Sequence, residues 1–136
     1  MTTDDEKRIS ALLDADKKFI GVSFYPSIGK ATYGGEDFYI VGCDYEDKIG
    51  VRDIDLSVFV LSDSGKVFVN TSLEKFLESI RCYTGIIDFD EAYDEKKRSK
   101  DVKAIRKGIK QIDPAALTSD TNWWSYILEQ TEDGLF

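Results

Sequence analysis

Histidine does not occur among the 136 residues of this chain. Its absence removes the commonest general base and the commonest metal ligand, and leaves serine and cysteine nucleophiles with no imidazole to activate them. The only two cysteines, Cys43 and Cys82, are far apart and each lies inside an apolar run. That is the setting of buried free thiols, and two cysteines without histidine are too few for a zinc site. No apolar run approaches the ~20 residues of a membrane span. The N-terminus, Met-Thr-Thr-Asp-Asp-Glu, is acidic and polar, unlike a signal peptide. The expectation is a cytoplasmic protein with reduced thiols and no membrane partner. Phosphate-loop and nucleophile-elbow spacings are also missing: Gly29-Lys30 has no second glycine at the required distance, and no Gly-x-Ser-x-Gly occurs. The acidic run from Asp88 lacks the sixth-position glycine of a calcium loop. No catalytic residue, cofactor site or metal site is expected.

What the chain does contain is the material of a packed globule, with 42 % apolar and 12 % aromatic residues. The length suits one domain over residues 1–136, with no need of disulfides or metals to stabilise it. The formal net charge is −8, unevenly placed. Lys96, Lys97, Arg98, Lys100, Lys103, Arg106, Lys107 and Lys110 face the single acid Asp101 in that segment, a local +7, so the rest of the chain carries −15. Such a field disfavours nucleic acid and favours a basic partner. The basic segment itself has no aromatics interleaved to stack on bases, and its cations fall on the solvent side of an amphipathic pattern.

The stretch Leu56–Tyr83 anchors the architecture. Leu56–Leu61 and Val67–Val69 are β-rich runs joined through Ser62-Asp63-Ser64-Gly65, which predicts a hairpin. Thr71 and Glu74 have capping-box spacing, and Leu73, Phe76, Leu77, Ile80 and Tyr83 then recur at helical period. Upstream, Thr3 and Glu6 predict a helix over 4–17, and Phe19–Tyr25 a strand ended by Pro26. Ser27–Glu36 reads as a loop with a Gly34-Gly35 turn, Phe38–Cys43 as a central strand, Asp44–Lys48 as an acidic turn and Ile49–Ile54 as a further strand. Downstream, Asp88 opens a helix that Lys96-Lys97-Arg98 closes, and Val102, Ile105, Ile109 and Ile112 line another. Pro114 begins a stop or short turn. Asp120 or Thr121 caps a last helix ending at Gly134, in which one of the adjacent Trp123 and Trp124 enters the core and the other stays half exposed. Strands in succession followed by helices predict an α+β fold: an antiparallel sheet of five to six strands, an N-terminal helix and a C-terminal helical segment packed against it.

Two stretches carry a resemblance. Val67–Ile80, VFVNTSLEKFLESI, resembles the strand-to-helix signature Asn-x-Ser-x-x-x-Phe of the SUKH superfamily of bacterial immunity proteins. Ile109–Leu117, IKQIDPAAL, with Asn122–Leu135, NWWSYILEQTEDGL, resembles the C-terminal motifs of its fourth subfamily. The resemblance implies a non-enzymatic protein that binds and neutralises a cognate polymorphic or contact-dependent toxin, often a nuclease or deaminase. The same superfamily includes regulatory proteins, so a protein-binding scaffold is the competing expectation. A small carboxylate–metal enzyme is the third, and it requires acids converging in one pocket. For a basic toxin, the acids flanking the predicted strands, Asp44, Glu46, Asp47, Asp53 and Asp55, are the candidate contact residues.

Overall fold

The computed structural model describes residue 7, residues 18–87 and residues 95–134. One antiparallel sheet holds six strands: β1 (Lys18–Phe19), β2 (Val22–Tyr33), β3 (Glu36–Asp44), β4 (Asp47–Arg52), β5 (Val58–Ser62) and β6 (Gly65–Asn70). Their spatial order is their sequence order, the meander that short connections impose. Among the described residues three helices follow, α1 (Leu73–Ile86), α2 (Glu95–Ile112) and α3 (Trp123–Glu132), with a 3-10 turn at Pro114–Leu117. The α+β class is as expected. The helix expected over 4–17 lies, apart from Lys7, outside the described residues, as does the start of the helix expected from Asp88.

Alternation sorts the strands into two faces. Val22, Phe24, Tyr39, Val41, Ile49, Val51, Val58, Val60 and Val69 join the helices in the main core. Phe38, Ile40, Phe59 and Leu61 point the other way and are still buried. No helix covers them among the described residues; the sheet curls instead, so that Tyr33 of β2 donates its hydroxyl to the Ser62 carbonyl at the end of β5, two strands beyond its neighbour. The Arg52 guanidinium and the Lys66 ammonium cap the Phe59 ring at 4.8 and 5.3 Å from its centre, and Glu36 pairs with both cations. Among the described residues this face is thus sealed by the sheet's own curvature and by the long stems of two bases.

Several local expectations give way to longer-range packing. Pro26 does not end its strand. β2 bulges between Phe24 and Gly29, which puts the residue without an N–H where the ladder is already broken, and the strand then resumes to Tyr33. The expected loop therefore shrinks to Gly34-Gly35, whose positive φ values of 59° and 81° form the tight turn. Ser72, not Thr71, caps α1, its Oγ accepting the Lys75 N–H at 3.2 Å. Thr71 is engaged elsewhere: its N–H and hydroxyl both go to Asp113, at 2.8 and 3.1 Å. Lys96-Lys97-Arg98 close no helix; α2 runs unbroken from Glu95, with those bases in its first turns. Burial of Val102, Ile105 and Ile109 carries the helix on past those bases. Asn122, not Asp120 or Thr121, precedes α3, and its amide donates to the Ala115 and Ala116 carbonyls of the 3-10 turn.

Both tryptophans are buried, Trp123 at 5 % exposure and Trp124 at 0 %. They pack edge-on with centroids 4.9 Å apart, and Phe76 meets each of them. Neither remains half exposed because each ring nitrogen finds its own acceptor: Trp123 on Asp44 and Trp124 on Asn70, both at 2.9 Å. The thiols are half-buried rather than buried, and both are free.

Candidate functional site

β4 divides the five candidate acids. Asp44, Glu46 and Asp47 belong to the β3–β4 turn, while Asp53 and Asp55 follow the other end of the strand. Six residues of strand put the two groups about 20 Å apart. They do not form one patch.

At the far end, Asp55 is occupied within the chain. Arg52 donates to it through Nε at 3.1 Å and Nη2 at 2.6 Å, and Ser57 donates its N–H at 3.1 Å and its hydroxyl at 2.6 Å. These bonds, Arg52 foremost, hold the Asp55 carboxyl well below the usual carboxylate range. Arg52 also reaches Glu36 at 3.2 Å. Between the two aspartates Ile54 stands 85 % exposed. A cleft of about 460 Å³ opens beside them, lined by Lys30, Thr32, Asp37, Tyr39 and Asp53 among others. It mixes signs, and Lys30 already lies 5.4 Å above the Tyr39 ring.

At the near end the charged residues that line the recess are, among the described residues, of one sign, while the exposed Lys48 follows Asp47 on β4. A groove of about 630 Å³ runs between the β3–β4 turn and α3, lined by Asp44, Tyr45, Glu46 and Asp47 on one wall and by Tyr126, Ile127 and Gln130 on the other. The bond from Trp123 Nε1 to Asp44 Oδ2 ties the walls together. Burial pushes the Asp44 carboxyl above its ordinary value; the Trp123 bond opposes that shift, and Asp47, directly across the ladder, adds to it. Tyr45 and Tyr126 are 68 % and 54 % exposed and, with Ile54, make up the exposed large hydrophobics among the described residues. Tyr45 holds a positive φ of 54° at the first turn position, where glycine is the usual occupant. Its N–H donates to the Gly21 carbonyl at 2.9 Å, and its ring lies against Gly21, where any Cβ would collide with it. The Tyr126 hydroxyl accepts from Gln130 at 2.6 Å.

Sequence reasoning found the three acids of this groove and missed the two tyrosines. Tyr126 could have been read from its position: it sits between the buried pairs Trp123-Trp124 and Ile127-Leu128, on the side of α3 that the apolar stripe leaves to solvent. Tyr45 offered no such signal, because a turn has no period.

The remaining polar clusters are structural. Asn70, fully buried, donates to Asp113 at 2.9 Å and Ser79 at 3.3 Å and accepts from Trp124. Asp113, also buried, gathers Asn70 and Thr71. The bases of α2 occupy its solvent side, with Lys96, Lys97, Lys100, Lys103, Arg106, Lys107 and Lys110 exposed. Among the described residues no group of three or more His, Cys, Asp or Glu is placed to hold a metal ion, and no helix is long and apolar enough to cross a membrane.

The geometry therefore offers surfaces for binding. Comparison with known families matches the SUKH-4 immunity protein model to residues 17–130, from the first strand into the last helix. Neither curated proteins nor solved structures give a match.

Proposed function

The chain belongs to the SUKH-4 immunity protein family, and from that membership we propose that it protects the cell producing it by seating on a cognate toxin domain and covering that domain's active site, with no bond-making of its own. The observation that carries the finer reading is charge. A chain of net −8, with −15 outside Lys96–Lys110, is built to meet a basic surface. Toxins that cut or deaminate nucleic acid must hold phosphates and are basic where they do so. Complementary fields steer encounter, so association weakens as salt rises. The acids that serve this role best are Asp44, Glu46 and Asp47. Asp53, beside the exposed Ile54, is a secondary contact, and Asp55 contributes least because Arg52 and Ser57 already satisfy it. The site of action is the cytoplasm, where such a toxin would meet its substrate.

Co-expression with the product of the adjacent gene tests the proposal. Expected are cell survival, a co-purifying complex and a salt-dependent association rate. Cells that die at the same rate with and without this chain would overturn it.

A further inference from the structure

We propose that the groove between the β3–β4 turn and α3 captures an arginine of the partner, its guanidinium laid against Tyr45 and Tyr126 with its charge on Asp44, Glu46 and Asp47. This rests on the toxin-binding reading and adds the chemistry of the contact.

Three features point to that occupant. The groove gathers two of the three exposed large hydrophobics among the described residues, and both are tyrosines, a side chain enriched where interfaces concentrate their binding energy. Among the described residues its lining holds three carboxylates and no base. Asp44 and Asp47 face each other directly across the ladder, a like-charge pairing that is unfavourable in the free protein and that a cation between them relieves. Among cations, a guanidinium fits better than an ammonium, because its flat face stacks on tyrosine while its edges donate to carboxylates. The walls are also fixed in advance: Trp123 holds Asp44, Gln130 holds Tyr126, and the Tyr45 ring rests on Gly21. Those three side chains have little freedom left to lose on binding. The competing surfaces lack this combination. The cationic side of α2 carries the wrong sign for a basic partner, and the second aromatic cluster is sealed by Arg52, Lys66 and Tyr33.

The test uses the full chain and a defined probe, the peptide Gly-Arg-Gly-Arg-Gly, followed by amide chemical shifts, with the lysine and glutamate peptides as comparators. Expected are saturable shifts at Tyr45, Glu46, Asp47, Tyr126 and Gln130, tighter for arginine than for lysine and absent for glutamate. Tyr45→Gly and Tyr126→Ala should each weaken the arginine peptide about tenfold. Tyr45→Gly places glycine where φ is positive, so the fold survives and the loss reads binding alone. Variants that titrate like the parent chain, or shifts scattered over the whole acidic surface, would overturn the proposal. The same variants in the survival assay separate the two claims. Protection that persists in Tyr45→Gly and Tyr126→Ala overturns the groove and leaves the toxin reading standing. Capture of the arginine peptide by a chain that protects nothing upholds the groove and overturns the toxin reading.

Discussion

Replacing Asn70 with alanine tests whether the buried polar hub holds sheet and helices together. Asn70 ends β6 at zero exposure and bonds to three other elements: to Trp124 of α3, to Ser79 of α1 and to Asp113 after α2. Removing the amide strands the Trp124 N–H away from water, at about 1–3 kcal/mol. It also takes one donor from the buried Asp113 carboxylate, a charge-assisted bond of about 1.5–3 kcal/mol. A small void remains, and its cost adds to both. The expected loss is about 4 kcal/mol, a large fraction of the 5–15 kcal/mol that holds a typical domain folded. Urea unfolding should show the midpoint falling with the slope unchanged. Trp124→Phe, which removes the N–H together with part of the ring, completes a double-mutant cycle with Asn70→Ala in which the cavity cost common to both backgrounds cancels, and the pair should couple by about 1 kcal/mol. A cost under about 1 kcal/mol for Asn70→Ala, or no coupling to Trp124, would refute the hub, since neither is compatible with an orphaned N–H in a dry core.

Gly108 of α2 faces Cys82 of α1, whose Sγ would lie 2.5 Å from an added Cβ. Gly108→Ala should therefore destabilise by about 1–3 kcal/mol in the parent chain. In a Cys82→Ala background the clash is gone and the helix preference of about 1 kcal/mol for alanine over glycine should make the same change favourable; thermal melts of the four proteins decide it. Asp44 is held above its ordinary 3.8 chiefly by burial, so the folded state resists its charge, and stability falls as pH climbs from 3.8 through the raised value. Asp44→Asn keeps an acceptor for Trp123 and should melt higher than the parent at pH 7, with the difference vanishing at pH 3; a lower melt at pH 7 would contradict this. Asp55 runs the opposite way: its carboxyl is lowered by Arg52, so its contribution is present above 3.8 and lost as pH falls toward the depressed value. Because the pair is solvent-screened, Asp55→Asn should cost only about 0.5–1 kcal/mol at pH 7, read by urea unfolding, and nothing in strong acid.

The elements legible in the sequence are those whose signal is periodic and local. The β5–β6 hairpin and α1 follow from alternation and from a 3-4 apolar stripe, and the Gly34-Gly35 turn from two adjacent residues tolerant of positive φ. Where the sequence misled, a distant partner intervened. Thr71 lost its capping role to Asp113, 42 residues away. Trp123 and Trp124 are both buried because two separate elements each supply an acceptor, which no helical wheel contains. Pro26 sits inside a strand because the bulge opposite Val41 spares it a ladder bond. The site shows the same division. An acidic turn is visible as composition, but the separation of Asp53 and Asp55 from Asp44 is set by the length and pairing of β4, and Tyr126 reaches the groove only through the docking of α3 against that turn.

The residues that carried the family resemblance turn out to be those that build the hub. Asn70 bridges three elements, Ser72 caps α1, Phe76 meets both tryptophans, Asp113 gathers Thr71 and Asn70, and Trp124 closes the circuit. Asn70, Phe76, Asp113 and Trp124 are buried and Ser72 is half-buried, so the motif describes how the helices lock onto the sheet and leaves the partner unspecified. The groove draws instead on Tyr45, Glu46 and Asp47, which lie outside the motif, and on Tyr126 and Gln130, the outward positions within it. The hub and the groove thus draw on different side chains of the same helix, α3. Damage to the hub should lower the amount of folded protein while each folded molecule still protects. Damage to the groove should leave the amount of folded protein unchanged and lower protection per molecule. On the proposed reading the acidic groove can change its occupant without disturbing the lock beneath it, which is the arrangement expected of a scaffold fitted to one particular partner.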